Sequence, residues 1–223
     1  MKISDIENHS DKMPKHFKQA FLGSDVEAYL IAGGFDMEGI KSSNKAFLLQ
    51  KGVLTSLLPM HKGRQNFAFA VARVKRKPKD KDFNIEAYAI GGFSLMHGAL
   101  NHVEKFNFDT QDWEERASMN LKRINASACC VESVTGNHLY VFGGRGQGDE
   151  FYDSVEKYSC DLNFWSMLEI KMPKTLCNHF VFPFQSENFI IFGGLKPKEG
   201  QPTSLIRAGV DTENEKNVYM FNR

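Results

Sequence analysis

Residues 139–165 read LYVFGGRGQGDEFYDSVEKYSCDLNFW, and the fold turns on whether this stretch is unique or one copy of a repeat. An apolar run of strand formers leads into Gly143-Gly144, and Trp165 follows Tyr158 by seven residues. Taken alone, GGRGQG invites a phosphate-loop reading. It has neither the GxGxxG nor the GxxxxGK[ST] spacing, and no helical pattern follows, so the glycines carry no nucleotide signature.

The doublet is not unique. Gly33-Gly34, Gly91-Gly92 and Gly193-Gly194 close the runs AYLIAGG, AYAIGG and FIIFGG, and the four doublets are spaced by 58, 52 and 50 residues. Met13, Met60, Met119 and Met172 stand upstream of them, and proline follows Met13 and Met172. Downstream, Phe106 precedes Trp113 by seven residues, as Tyr158 precedes Trp165, and Phe47 stands at that spacing before Leu54. NHVEKF (101–106) and DSVEKY (153–158) are nearly one segment written twice, with VYMFN (218–222) a fainter third. In copy three, ASACCVES, HLYVFGG, SVEKYS and FWSMLEI alternate with turn residues, which predicts four short strands per copy.

Four-stranded units at a period near 50 residues are the pattern of propeller blades. From Met13 to Asn222 the sequence resembles the kelch family, through the double glycine, the aromatic–tryptophan pair and the Met-Pro ahead of the first strand. The resemblance implies an all-β kelch-type β-propeller in one domain over residues 1–223, with blades of about four antiparallel strands at 13–59, 60–118, 119–171 and 172–223. It also implies that Phe106, Trp113, Tyr158 and Trp165 pack between blades. The glycines Gly33, Gly34, Gly91, Gly92, Gly143, Gly144, Gly193 and Gly194 are expected where the backbone turns sharply or meets a neighbour.

Two copies depart from the pattern. Copy one has Leu54 in the tryptophan position. Copy four stops before a fourth strand and carries the polar insertion LKPKEGQPTSLIRAGVDTENEK (195–216), expected as a loop. Within residues 1–12, the stretch 2–9 is expected to supply the missing outer strand and close a four-bladed ring. The other reading is a slice of a larger propeller, because the family more commonly has six or seven blades.

Composition narrows the function classes. Twenty-eight basic and 27 acidic residues leave a net charge of +1, so no global field draws the chain to nucleic acid or membrane. No run approaches the roughly 18 apolar residues of a membrane span, and the N-terminal MKISDIENHSDKMPKHF has no signal-peptide core. Cys129, Cys130, Cys160 and Cys177 lack CxxC spacing and are expected as reduced thiols of a cytoplasmic protein. A cytoskeletal, ciliary or nuclear setting fits the same facts.

Alternating strand direction sorts the loops onto two faces. One carries the fourth-to-first and second-to-third connections. Counting from each methionine, Phe17, Arg64, Arg123 and Leu176 come four residues on, and Gln19, Asn66, Asn125 and Asn178 come six on. One reading has the amides satisfy backbone groups at the strand starts. The other has Arg64, Asn66, Arg123, Asn125, Asn178 and Gln19 form a polar ring that grips a protein or peptide, with an acidic loop as the ligand class. The family often binds peptides on this face, and Arg64 and Arg123 match its arginine position. The opposite face carries RVKRKPKDKDFN (73–84), where Arg73, Lys75, Arg76, Lys77, Lys79 and Lys81 form a basic loop, either a solvated turn or a contact for acidic surfaces.

Catalysis finds little support. The seven histidines show no HExxH pattern, and His16 and His179, at first-strand starts, read as satisfied structural groups. The expected function is therefore a non-enzymatic scaffold or adaptor with protein partners, no cofactor and no metal. A metal-dependent kelch-type enzyme, an oxidase or sugar epimerase, is the alternative. Family members that serve ubiquitin ligases carry a BTB or F-box segment upstream, for which the twelve residues before Met13 leave no room.

Overall fold

The computed structural model describes residues 18–21, 28–75, 83–133, 136–148, 150–184, 188–197 and 212–221. Their regular structure is all strand. Blade one contains β1 (Lys18–Phe21), β2 (Ala28–Ala32), the ribbon β3 (Phe35–Asp36) and β4 (Lys41–Ser42), β5 (Ala46–Gln50) and β6 (Val53–Leu57). Blade two contains β7 (Ala68–Lys75), β8 (Phe83–Ile90), the ribbon β9 (Phe93–Ser94) and β10 (Gly98–Ala99), β11 (Val103–Asn107) and β12 (Asp112–Arg116). Blade three is β13 (Ser127–Ser133), β14 (Gly136–Phe142), β15 (Val155–Ser159) and β16 (Phe164–Met167). Blade four has β17 (Phe180–Phe184), β18 (Asn188–Phe192), the ribbon β19 (Leu195–Pro197) and β20 (Thr212–Asn214), and β21 (Val218–Phe221).

Among the described residues each blade is an antiparallel sheet in simple chain order, four-stranded in blades one to three and three-stranded in blade four. Strand pairing fixes which residues of the copies correspond. Ala46, Val103, Val155 and Val218 oppose Ala32, Ile90, Phe142 and Phe192, the residues just before the glycine doublets. Tryptophan and aromatic face each other, Phe106 on Trp113 and Tyr158 on Trp165.

This register corrects the first copy. Leu54 faces Leu49, and Phe47 faces Ser56. The β5–β6 hairpin turns through Lys51 and Gly52 alone, both at positive φ (47° and 79°), as a two-residue turn of matching twist requires. Its hairpin is two residues shorter than in copies two and three, which displaced the aromatic spacing. The insertion after Gly194 is corrected too, because its ends pair as the ribbon β19–β20, Leu195 on Asn214. Residues 198–211 of the insertion and the strand expected over 2–9 lie outside the described residues.

The core is a stack of layers between blades, set by the period-two alternation of each strand. Along β13, Ala128 and Cys130 pack towards blade two, and Cys129 and Val131 pack towards blade four. Trp113 and Phe106 close the first layer against Ala28, Leu30 and Ala46. Tyr158 and Trp165 close the second against Ala70, Tyr88 and Ile90. Phe189, Ile191 and Phe221 close the third against Tyr140 and Phe142. Each indole also ties its blade to the end of the preceding one, Trp113 Nε1 donating to Leu58 O (3.1 Å) and Trp165 Nε1 to Ala117 O (2.8 Å). First strands pack in succession, β1 on β7, β7 on β13 and β13 on β17. Among the described residues no comparable packing joins β17 to β1.

Candidate functional site

The segment leading into each blade crosses one face of the molecule beneath the preceding blade's ribbon. In blades two and three it is anchored by a buried ion pair. The Arg64 guanidinium meets the Glu104 carboxylate, and it also donates to the carbonyls of His102 (2.9 Å) and Gly91 (3.2 Å). Arg123 repeats the arrangement on Glu156 (3.0 Å), Gly143 O (2.7 Å), Ser154 O (3.1 Å) and Ser154 Oγ (2.8 Å). The carboxylates reach further, Glu104 accepting from the His61 amide (2.7 Å) and Glu156 from the Asn120 amide (2.7 Å). All four side chains are fully buried. Burial lowers both guanidinium pKa values from their usual range, opposed by the paired carboxylates.

This placement corrects the expected ligand role of the arginines. Arg64 and Arg123 hold the lead-in turns of their own blades and offer no guanidinium surface to a partner. Blades one and four lack the pair. Phe47 stands at the glutamate position of blade one, and Leu176 and Tyr219 stand at the arginine and glutamate positions of blade four, sharing an apolar cluster. The signal was present in the sequence, since arginine and glutamate occur together in copies two and three.

The amides fall at a special backbone position. Asn66, Asn125 and Asn178 have φ of 54°, 58° and 53°, the left-handed region in which asparagine is enriched. They link blade to blade through the backbone, Asn125 N donating to Asn66 O (2.8 Å) and Asn178 N to Asn125 O (2.9 Å). Gln19 does not belong to this set. It lies inside β1 opposite Ile31, three residues beyond the corresponding position, which is His16.

The ribbons project above this pinned floor. The Leu95 amide donates to Ser42 Oγ (3.0 Å), joining the ribbons of blades one and two, and the Ala99 amide donates to the Gln147 side chain of blade three. Asp36 accepts from the Glu38 and Gly39 amides, closing the first ribbon tip, and these bonds lower its pKa. The two tips are apolar. Met37, Ile40, Leu95 and Met96 are exposed, Ile40 to 74% and Met96 to 85%. Ile40 also has φ 44°, a conformation that β-branched residues rarely adopt. Sequence reasoning missed this patch, because four apolar residues in two short segments have no periodicity.

On the opposite face Arg73 is exposed at the end of β7 and its carbonyl accepts from Asn137 Nδ2 (2.6 Å). Lys75 is the last residue of β7. Arg76, Lys77, Lys79 and Lys81 lie outside the described residues. A cavity of about 380 Å³ opens between blades one and two on this side, lined by Leu48, Phe108, Glu86 and Asp109 among others.

Residues 86–120 and 126–170 match the Kelch motif. They are the two copies that hold Trp113 and Trp165, Glu104 and Glu156. The chain carries kelch repeats. Its sheets are all-β, and kelch repeats build into a β-propeller. Over 157 residues, 70% of this kelch chain, it is 25% identical to Kelch-like protein 38 of Homo sapiens, covering 26% of that protein. It is 23% identical over 126 residues to alpha-scruin of Limulus polyphemus, covering 54% of this chain and 13% of the relative. It is 30% identical over 137 residues to a RING finger domain and kelch repeat-containing protein of Dictyostelium discoideum, covering 61% of this chain and 12% of the relative. The chain thus spans between an eighth and a quarter of the length of these relatives.

The reactive groups are subdued. All four cysteines are free, and burial pushes the thiols of Cys130, Cys160 and Cys177 up to about 12, 11 and 11, so they stay protonated at neutral pH. Among the described residues no three His, Cys, Asp or Glu side chains cluster as a metal site needs, and no helix is long and apolar enough to cross a membrane.

His179 corrects the reading of a satisfied structural group. It is buried between Gly143 and Gly194, neither ring nitrogen has a hydrogen-bond partner, and burial lowers its pKa from 6.5 to about 4. Below pH 6.5 the unfolded chain binds a proton that the folded chain refuses until about pH 4. Stability is therefore full above pH 6.5 and falls as pH drops towards 4, by about 3 kcal/mol at most. The corresponding residues are Phe67 and Ala126. His179→Phe is expected to abolish this component, read as the difference between urea midpoints at pH 7.5 and pH 4.5. An unchanged difference refutes the assignment.

Proposed function

We propose that the chain is a non-catalytic protein-interaction module, whose kelch blades form a rigid mount for the ribbon face. One observation carries the reading: four exposed apolar side chains sit on two hydrogen-bonded ribbons, and one of them, Ile40, is held in a disfavoured conformation. A strained, exposed isoleucine costs the free chain on the order of 1–3 kcal/mol, and exposed apolar patches mark contact sites. Flexible methionines suit such a surface because they adapt to a partner's shape. In this reading the arginine–glutamate pairs and the asparagine links position the ribbons from below, and the partner is a protein with an apolar contact, fringed by charge that meets Asp36, Glu38 and Lys41. The four free thiols fit a reducing compartment such as the cytoplasm.

Stability and binding separate cleanly at Ile40. Ile40→Gly removes the strain and is expected to stabilise the chain by about 1 kcal/mol. Combined with Met96→Ser, it is expected to abolish capture of the proteins bound by the unaltered chain in quantitative affinity purification. Neutralising Arg73 and Lys75 on the opposite face is expected to leave capture intact. Full capture by the ribbon double variant sinks the proposal, and loss with the basic-loop variant alone transfers the site to the other face.

A further inference from the structure

The methionines of this chain fall into two kinds. Met60, Met119 and Met172 carry their thioethers beneath the blades, between 1% and 4% exposed. Each methyl lies against the first glycine of the preceding doublet, so that a Cβ added at Gly33, Gly91 or Gly143 falls within 3.1 Å of it. That packing keeps water, and any oxidant dissolved in it, from the sulfur. Met37 and Met96 are the opposite case, 55% and 85% exposed at the two ribbon tips. The backbone around them is fixed. Asp36 accepts from the Glu38 and Gly39 amides at one tip. At the other, the His97 amide donates to Ser94 O (3.2 Å) and the Leu95 amide to Ser42 Oγ (3.0 Å). Met1 and Met13 lie outside the described residues.

Sulfur is the readily oxidised element of a protein, as thiolate or as thioether. The thiols compete poorly here. Burial raises the pKa of Cys129, Cys130, Cys160 and Cys177, and a peroxide attacks the thiolate rather than the thiol. The exposed thioethers are left as the ready targets, and two of them make up half of the ribbon patch.

We infer that Met96 and Met37 form a peroxide-sensitive switch on the ribbon face, whose conversion to sulfoxides releases the bound protein. The inference rests on the ribbon reading above and adds its regulation. In the forward step a lone pair of the thioether sulfur attacks the terminal oxygen of a hydroperoxide. The S–O bond forms as the O–O bond breaks, and the proton of the transferred oxygen passes to the departing one. Sulfur is oxidised by two electrons, and the peroxide leaves as an alcohol or, from hydrogen peroxide, as water. The return step takes two thiols of a dithiol reductant and a sulfoxide reductase: the oxygen leaves as water and the thiols become a disulfide. Oxidation turns a flexible apolar side chain into a polar one. The side chains of Ile40 and Leu95 give the new oxygen no hydrogen-bond donor, so a partner seated on them buries it unpaired, at a cost. Binding is expected to weaken by about 10- to 100-fold for each methionine that the partner covers.

Hydrogen peroxide treatment of the 223-residue chain, followed by peptide mass spectrometry and by capture from one cell extract, tests it. Met96 is expected to gain oxygen first and Met37 next, ahead of Met60, Met119 and Met172. Capture of the proteins bound by the untreated chain is expected to fall about 10- to 100-fold, with folding checked by thermal melting. It is expected to return after treatment with reductases for both sulfoxide epimers and dithiothreitol. Met37→Leu with Met96→Leu conserves volume and is expected to keep full capture before and after peroxide. Met167→Leu with Met220→Leu, at exposed methionines on β16 and β21, is expected to leave the sensitivity unchanged. Oxidation of the buried methionines ahead of Met96 overturns the inference. So does full capture by a chain whose Met37 and Met96 are verified sulfoxides. In that case Met96→Gln separates the two readings: lost capture leaves the ribbon site standing without its switch, and full capture removes the site as well. An untreated chain that captures nothing also removes both.

Discussion

Arg123→Ala is expected to destabilise the chain by about 3–5 kcal/mol, the range found when one member of a buried ion pair is removed. The loss comes less from a missing attraction than from what stays behind. Glu156 remains fully buried without its cation, and the carbonyls of Gly143 and Ser154 lose their donor. Lysine is not expected to rescue, because a point charge reaches the carboxylate without reproducing the fork of donors. Blade four shows how the chain fills the same space without charge, with Leu176 and Tyr219. Arg123→Leu with Glu156→Tyr is therefore expected to be more stable than either single variant. It should remain below the unaltered chain, since the Asn120 and Leu121 amides lose their acceptor, at roughly 1–3 kcal/mol for each amide left dry. Urea denaturation of the four chains closes the cycle. A cost below about 1 kcal/mol for Arg123→Ala, the level of an exposed pair, would show that the guanidinium is solvated.

That result also bears on function. If the arginines gripped an acidic ligand directly, Arg123→Ala would weaken binding at unchanged stability. A positioning arginine loses both together, and the ribbon variants alone separate binding from folding.

How much of this was legible in the sequence depended on what each feature needs. The blades were, because a doublet of glycines is a local requirement repeated in four copies and the aromatic pair marks two of them. The boundaries of β13, β15 and β16 fall within the segments read from copy three, and β14 starts two residues earlier than read, at Gly136, inside the stretch taken as a turn. The phase of copy one was not. Counting from Met13 put Gln19 on the asparagine position, but β1 pairs with β2 three residues out of that phase, and the short Lys51-Gly52 hairpin moved the partner of Leu54 from Phe47 to Leu49. Burial of Arg64 and Arg123 was hidden for another reason. Their partners lie 40 and 33 residues along the chain, and an arginine in a polar turn reads as exposed until its carboxylate is located. The exposure of Phe180, Phe182, Val218 and Met220 in blade four was invisible because FVFPF and VYMF look like ordinary buried strands.

Gly91→Ala and Gly193→Ala, chemically the same change, are expected to differ severalfold in cost. Both glycines hold positive φ, 63° and 67°, so each alanine carries the left-handed penalty of about 1–2 kcal/mol. At Gly91 a second term adds to it. The new methyl would lie 2.7 Å from Arg123 O and 2.9 Å from the Met119 methyl, and the carbonyl cannot retreat without stretching the Gly92-to-Arg123 hydrogen bond that joins blades two and three. Forcing an extra carbon into a packed site costs a further 1–3 kcal/mol, so Gly91→Ala is expected to lose about 2–5 kcal/mol in all. At Gly193 no atom of the described residues lies within 4 Å of the methyl, and only the backbone penalty remains. Urea denaturation of the two variants measures this difference. Equal costs would mean that backbone conformation alone selects glycine in the doublets. The larger cost at Gly91 would show that the doublet is kept for the close approach of the next blade, the contact on which the stacking of the whole arc rests.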